Sequence, residues 1–269
     1  MAGTLFVVAT PIGNLDDITL RALKILRDVS VIAAEDTRRT AHLLARHAIA
    51  TPTTSLHEHN EAKKSASLIA RLERGHHVAL VSDAGTPTVS DPGGRLIREA
   101  IAAGVRIEPV PGASAVLAAL SVAGLATDVF TFLGFPPTGA KARKRWFERL
   151  RLLSGAAVFF EAPHRIRATL VDLLKAAGDR QIVIARELTK IHEELVRGPI
   201  SVALERLSQP RGEFTVVIEL GLTPEINPAL MGETPEQLAG TRRESISALA
   251  RTLGLSANDV YTALETLKK

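Results

Sequence analysis

Along the first half of the chain, short β-rich runs alternate with segments whose apolar residues return at helical spacing. The runs are Thr4–Ala9, Val29–Ala34, Thr53–His57, His77–Ser82 and Arg106–Val110. Between them, helices are expected after the turn at Pro11, Ile12, Gly13 and Asn14, and then near Thr37–Arg46, Asn60–Arg74, Gly94–Ala103 and Ala113–Ala123. In the first of these, Leu15, Ile18, Ala22, Ile25 and Val29 share one face, and Asp16 or Asp17 is placed to cap it. Strands that are apolar on both faces need helices on both faces of their sheet, so this half reads as a parallel α/β layer.

The pattern pauses at Gly124–Asp128 and a second series begins. Strands are predicted at Val129–Leu133, Ala156–Glu161, Gln181–Arg186, Glu194–Arg197 and Phe214–Leu220, with helices near Ala140–Leu152, His164–Ala176 and Pro199–Leu207. The expected fold class is therefore α/β in two domains. Residues 1–124 form a parallel-sheet domain, residues 125–221 a mixed-sheet domain with antiparallel pairs, and residues 222–269 a linker and helical tail. Pro224, Pro228, Gly232 and Pro235 mark the linker. In the tail, Ile246, Leu249, Ala250 and Leu253 make an apolar stripe that Gly254 ends. Ser256 with Asp259 then caps a second helix carrying Val260, Leu264 and Leu267, a helix-turn-helix shape. Its near-zero net charge favours packing over nucleic-acid contact.

Composition narrows the chemistry. The 269 residues are 46% hydrophobic but only 4% aromatic, so aliphatic side chains must fill the core. Absence of cysteine excludes disulfides, thiolate metal sites and cysteine nucleophiles. No targeting pattern or membrane-length apolar run is seen, and a cytoplasmic protein without membrane association is expected. The formal charge of +4 is concentrated in residues 114–220, which carry 15 basic and 11 acidic side chains. There Lys141, Arg143, Lys144, Arg145, Arg149 and Arg151 crowd one helix with Trp146 and Phe147, which points to a polyanionic partner.

One connection stands out. Val81–Gly94 reads VSDAGTPTVSDPGG between a strand and a helix, far longer than an ordinary βα loop. Such a loop lies at the carboxyl end of a parallel strand, where open α/β sheets bind ligands. No GxxxxGK[ST] sequence exists, which disfavours a phosphate-loop nucleotide site. The first βα turn lacks GxGxxG, which disfavours standard dinucleotide binding. His57 and His59 have no third metal ligand in prospect, so no metal is assigned, and His164 is given no chemistry.

A set of motifs goes further. GTLFVVATPIGNLDDIT at 3–19, Glu35-Asp36-Thr37-Arg38, SDAGTPTVSDPG at 82–93, PGASA at 111–115, Glu161-Ala162-Pro163-His164-Arg165, Arg186-Glu187-Leu188-Thr189-Lys190 and Gly212-Glu213-Phe214 occur in order. Together they resemble the small-subunit ribosomal RNA cytidine ribose 2′-O-methyltransferases of the tetrapyrrole methylase superfamily. The resemblance implies S-adenosyl-L-methionine bound in a cleft between the domains, a homodimer, and a cytidine in the decoding region of 16S ribosomal RNA as substrate, within the small ribosomal subunit. Carried onto matching positions, it implies cofactor contacts at Pro11, Asp83, Ala84, Gly85, Thr86, Pro87, Ser114 and Ala115, and at Phe160, Glu161, Leu188 and Phe214 from the second domain.

Methyl transfer from a sulfonium to a sugar hydroxyl demands alignment, plus a base or a charge that holds the alkoxide. Glu35, Asp36, Glu187 and Lys190 are the catalytic candidates, with a helix cap or an internal ion pair as the structural alternative for each. For RNA binding, Lys141, Lys144, Arg145 and Arg149 share a helix face to meet phosphates, and Trp146 is a candidate to stack on a base. Two other readings stay open: the same fold methylating a tetrapyrrole or other small acidic molecule, and a non-catalytic ribosome-associated protein.

Overall fold

The computed structural model describes residues 2–207 and 211–221 and, further along, Ile246, Ser247, Ala250, Asn258 and Tyr261. The chain forms two compact units, Met1–Gly221 and Leu222–Lys269. In the second, Ile246 and Ala250 are helical and buried together. Ser247, Asn258 and Tyr261 are also helical, and the rest of the predicted linker and helix-turn-helix lies outside the described residues.

The first unit holds two five-stranded sheets. Strands β1 (Thr4–Val8), β2 (Val31–Ala34), β3 (Thr53–Ser55), β4 (Val78–Val81) and β5 (Arg106–Val110) run in the order β3-β2-β4-β1-β5 and are all parallel. The alternation of side chains along each strand feeds two separate cores. Leu5, Val31, Ala33, Val78 and Leu80 pack on the side of α3 (Glu61–Glu73) and α4 (Gly94–Ala102). Val8, Ile32, Ala34, Ala79 and Val81 face α1 (Leu20–Asp28) and α2 (Thr37–Arg46). Both faces being covered is why these strands read as continuous apolar runs.

The connection from β1 to β2 packs α1 on one face of the sheet and that from β4 to β5 packs α4 on the other, so the loops leaving the adjacent strands β1 and β4 diverge to opposite faces. That divergence opens a crevice at their carboxyl ends, the position at which open α/β sheets bind ligands.

The first helix departs from the sequence reading. Asn14 accepts a hydrogen bond from the Asp16 N–H and closes a 3-10 turn over Leu15–Asp17, after which Ile18 and Thr19 are extended. Thr19, not Asp16 or Asp17, is the N-cap, accepting from the Ala22 N–H. An asparagine cap one turn early consumes the residues expected to start the helix.

The second sheet contains β6 (Phe130–Phe132), β7 (Gly155–Glu161), β8 (Gln181–Arg186), β9 (Glu194–Pro199) and β10 (Phe214–Gly221), in the order β6-β7-β10-β8-β9. β6 pairs with β7 in parallel and the other pairs are antiparallel. One face packs Phe159, Ile184 and Val216 against α6 (Ala140–Leu150), α7 (Ile166–Ala177) and α8 (Ile200–Arg206). The other face packs Val158, Val183 and Val217 against α5 (Ala115–Ser121) and against Ile12 from the first turn. The helix after β5 and the turn after β1 thus pack against the second sheet. Among the described residues, no helix is long and apolar enough to cross a membrane.

The aromatic centre of the second sheet overturns one expectation. Trp146 is only 9% exposed, with its ring edge-on to Phe159 at 5.3 Å and its indole N–H on the Leu133 carbonyl. A ring held this way cannot stack on a base. Trp146 belongs to the core because α6 turns its 146, 147 and 150 positions inward. Phe159 is fully buried in this cluster, and Phe159→Ala is expected to cost about 3–5 kcal/mol by leaving a cavity. Urea unfolding should show a lower midpoint with an unchanged slope.

Candidate active site

The crevice is built from three loops. The turn after β1 and the loop after β4 hold each other by a backbone pair, Thr10 N–H to Gly85 O at 2.9 Å and Gly85 N–H to Thr10 O at 3.0 Å. The long loop reverses direction through positive φ at Gly85, Thr88, Ser90 and Gly93, which explains its glycine content and marks two strained non-glycine positions.

The third loop, between β8 and β9, comes from the second sheet and meets the first turn at Gly13. A Cβ there would lie 2.5 Å from Lys190 Cγ and 2.8 Å from the Leu188 carbonyl, so only glycine permits this approach. The Asn14 N–H donates to Thr189 Oγ1 at 3.0 Å across the same contact. Glu187 and Thr189 carry positive φ values of 52° and 66°.

Two adjoining cavities open between these loops. The smaller, about 370 Å³, is walled by Ile12, Val116, Phe135, Phe160, Leu188 and Phe214, with Glu35, Asp83 and Asp91 on its polar side. The larger, about 630 Å³, is lined by Pro11, Gly13, Asp36, Arg38, Arg39, His42 and Lys190 among others. Ile12, Arg39, Asp83, Ala84 and Glu213 line both and form the joint between them.

Of the cofactor positions implied by resemblance, Asp83, Ala84, Gly85, Thr86, Ser114, Ala115, Phe160, Glu161, Leu188 and Phe214 come together around the smaller cavity. Pro11 faces the larger one. Pro87 is buried and lines neither. Glu161 is a structural member of the wall: its carboxylate accepts from the Ala162 N–H and the Thr169 hydroxyl and pairs with Arg165 at 3.4 Å. Arg143 donates to the same Thr169 hydroxyl, linking α6 to the cavity floor.

The four catalytic candidates separate. Glu35 faces the smaller cavity and accepts from the Asp83 N–H at 3.3 Å. Burial pushes its carboxyl above the ordinary value. Asp36 lines the larger cavity but is occupied as the N-cap of α2 and by the Arg38 guanidinium, which holds its carboxyl well below the usual carboxylate range. This makes it the weaker base of the adjacent pair Glu35 and Asp36, and the capping alternative accounts for its geometry.

Glu187 lines neither cavity. Burial pushes its carboxyl up, but the Lys190 ammonium and the Glu213 N–H outweigh burial and hold it low. Lys190 lies 2.9 Å from both Glu187 Oε1 and Glu213 Oε2. Burial pushes the ammonium down, and the two carboxylates more than reverse this, leaving it a fixed cation rather than a base. Glu187 thus positions Lys190 and takes no proton itself, because its oxygen is spent on Lys190 and on the Glu213 N–H.

Several lining residues were not singled out in the sequence. Asp91, Arg39, Glu213 and Phe135 reach the smaller cavity, and Arg38 and His42 the larger. Asp91 was available in the same long loop as Asp83. Arg39 and His42 follow Asp36 at one-turn helical spacing, a signal that carries meaning only once the face of α2 is known. On α6, Lys141, Lys144, Arg145 and Arg149 are exposed, as a phosphate-facing surface requires. His57 and His59 stack ring edge to ring face at 6.0 Å, and His57 Nε2 contacts the Asn60 amide at 3.0 Å. Among the described residues, no group of three acidic or histidine side chains is placed to hold a metal.

A two-sheet α/β unit with its cleft at the carboxyl ends of β1 and β4 is a frame that binds small ligands. The Tetrapyrrole (Corrin/Porphyrin) Methylases model matches residues 4–203. In the same fold, the uroporphyrin-III C-methyltransferase of Thermus thermophilus complexed with S-adenyl homocysteine aligns with a TM-score of 0.59 at 18% identity, over 81% of this chain and 98% of that one. A Synechocystis protein named ribosomal RNA small subunit methyltransferase I is 43% identical over 98% of this chain and 93% of its own length. A Thermotoga maritima protein of the same name is 46% identical over 80% of this chain and 98% of its own length. The chain belongs to the tetrapyrrole methylases and, within them, to the ribosomal RNA small subunit methyltransferase I family.

Asp91 offers a test of the site's electrostatics. Burial pushes its carboxyl up to about 6, the Ser82 hydroxyl opposes this, and the Glu35 and Asp83 carboxylates add to it. The folded chain therefore holds this proton more tightly than the unfolded chain does. Stability is lost as pH rises from the ordinary value, near 3.8, through about 6. Asp91→Asn is expected to stabilise the protein above pH 6 by about 1 kcal/mol, reduced from the full linkage value by solvent screening, and to leave it unchanged at pH 3.5. Calorimetric melting at the two pH values reads the difference.

Proposed function

We propose that this chain transfers the methyl group of S-adenosyl-L-methionine to a cytidine ribose 2′-hydroxyl in the decoding region of 16S ribosomal RNA, acting as a homodimer on the small ribosomal subunit. The observation that carries the reading is the 43% identity, over 98% of the chain, to a protein named as a ribosomal RNA small subunit methyltransferase. The ribose and the cytidine rest on the motif resemblance. Leu117, Val129 and Phe130 expose large apolar side chains on α5 and at the start of the edge strand β6, surface that pairing would cover.

The residues present fit the cofactor. The smaller cavity has the volume of a small-molecule site and apolar walls for an adenosine, and Glu35, Asp83 and Asp91 offer negative charge to a cationic sulfonium and ammonium. Glu161, by contrast, is saturated with internal partners and shapes the wall. When bound, the cofactor supplies an electrophilic methyl carried on sulfur.

The chain's own task is to align and to handle one proton. Ile12, Val116, Phe135 and Phe160 line the smaller cavity with apolar surface, which strengthens charge interactions beside it. For the acceptor hydroxyl to take up that methyl, its proton would have to leave, and the chain's own charged groups would handle it. Lys190, permanently charged, can stabilise the developing alkoxide but cannot accept that proton. Glu35, raised by burial, is the stronger base of the original four candidates.

Incubation of the protein with methyl-labelled cofactor and small ribosomal subunits is expected to place label on one ribose; label on a tetrapyrrole precursor alone would overturn the reading. For the exposed face of α6, replacing Lys144, Arg145 and Arg149 by glutamate should weaken RNA binding and flatten its salt dependence, while leaving cofactor affinity unchanged. Each lost phosphate contact lowers the slope against log salt by roughly 0.7–0.9. Titrations at several salt concentrations measure it.

A further inference from the structure

Beyond the cofactor cavity lies the larger cavity, and its chemistry differs. The smaller cavity presents Glu35, Asp83, Asp91 and Glu213, with Arg39 as the cation among its lining residues. Such a wall attracts a cation and repels a phosphate. The larger cavity sets Arg38, Arg39 and Lys190 against Asp36, Asp83 and Glu213, so its lining charges balance where those of the smaller cavity are mostly negative, and it is open enough and large enough, at about 630 Å³, to take a nucleotide.

Arg38 has the geometry of an anion ligand. Its side chain is 90% exposed, and its Nε and one terminal nitrogen engage Asp36 at 3.1 Å and 2.7 Å. That contact holds the planar fork in place, and the guanidinium keeps further N–H groups for a second oxygen acceptor. Arg39 is held more loosely, with Nε 3.6 Å from Asp83 Oδ2. Two neighbouring guanidinium groups thus stand on α2 beside the cavity, one of them already oriented.

The joint between the cavities fixes where the reacting hydroxyl must be. A group in the larger cavity can meet a methyl from the smaller one only past the residues common to both, of which Asp83, Arg39 and Glu213 are charged. A sugar oxygen reaches such a recessed point only if its nucleotide leaves the RNA stack, and the cost of unstacking must be met by contacts to the extruded unit.

We propose that the larger cavity is the acceptor chamber, taking one unstacked nucleotide with its phosphate against Arg38 and Arg39 of α2 and its 2′-hydroxyl at the Asp83–Arg39 joint. This rests on the methyltransferase reading and adds to it a phosphate site separate from the exposed face of α6. It also gives the Arg38–Asp36 pair a role: Asp36 orients the arginine and takes no part in proton transfer.

The test uses the full chain and a fluorescein-labelled single-stranded RNA containing one cytidine, with affinity measured by anisotropy over a range of salt concentrations. Arg38→Ala is expected to lower the magnitude of the salt slope by about 0.7, the value for one lost single-strand phosphate contact. Arg38→Lys should restore most of it. Arg46→Ala, in the last turn of the same helix and outside both cavities, should leave the slope at its original value. Cofactor affinity by calorimetry should be the same in all three variants. An unchanged slope in Arg38→Ala, or an equal fall in Arg46→Ala, overturns the chamber assignment. If the unaltered chain methylates RNA, that failure leaves the reaction standing. If it does not methylate while the slope still falls with Arg38, the reaction is overturned and the phosphate site is retained.

Discussion

The site depends on one packing constraint: the first βα turn must touch the second sheet. Ile12 enters the core formed by α5 with β7, β8 and β10, and Gly13 lies against the strained loop after β8 so closely that no side chain can intervene. Thr10 is bound to Gly85 by two backbone hydrogen bonds, so the same contact also sets the long loop after β4. The joint between the two cavities lies where these loops meet.

That contact divides polar from apolar chemistry. Behind Ile12, apolar side chains from both sheets line the smaller space and raise the carboxyls of Glu35 and Asp91. In front of it, the space is open and its charges are paired near solvent, as in Asp36 with Arg38. A cationic donor and an anionic acceptor are thereby offered different surroundings a few side chains apart. Asp83 and Arg39 stand where the two meet.

The relatives and the geometry bear on different questions. Close sequence relatives identify the family and name ribosomal RNA methylation. Solved structures at 18% identity speak for the fold alone, which also serves proteins with other substrates. The features of this chain proposed here to meet RNA are local ones, the exposed cations of α6 and the paired arginines of α2.

Much of this was legible in the sequence because strands buried on both faces, helices with one apolar face and a glycine-rich βα loop each have a local signature. The parallel first sheet, the mixed second sheet and the loop from Ser82 to Gly93 could be placed that way. What the sequence could not decide were relations between distant residues. Trp146 looked like a base-stacking residue until the orientation of α6 put it in the core. Asp36 and Glu187 looked like bases until their hydrogen-bond partners were known, and Arg38, Arg39 and His42 gained meaning only from the face that α2 turns to the cavity. Periodicity is a property of neighbouring residues and can be read along a chain. Burial, charge pairing and a shared cavity wall arise from residues far apart in sequence, and only the folded arrangement brings them within reach of one another.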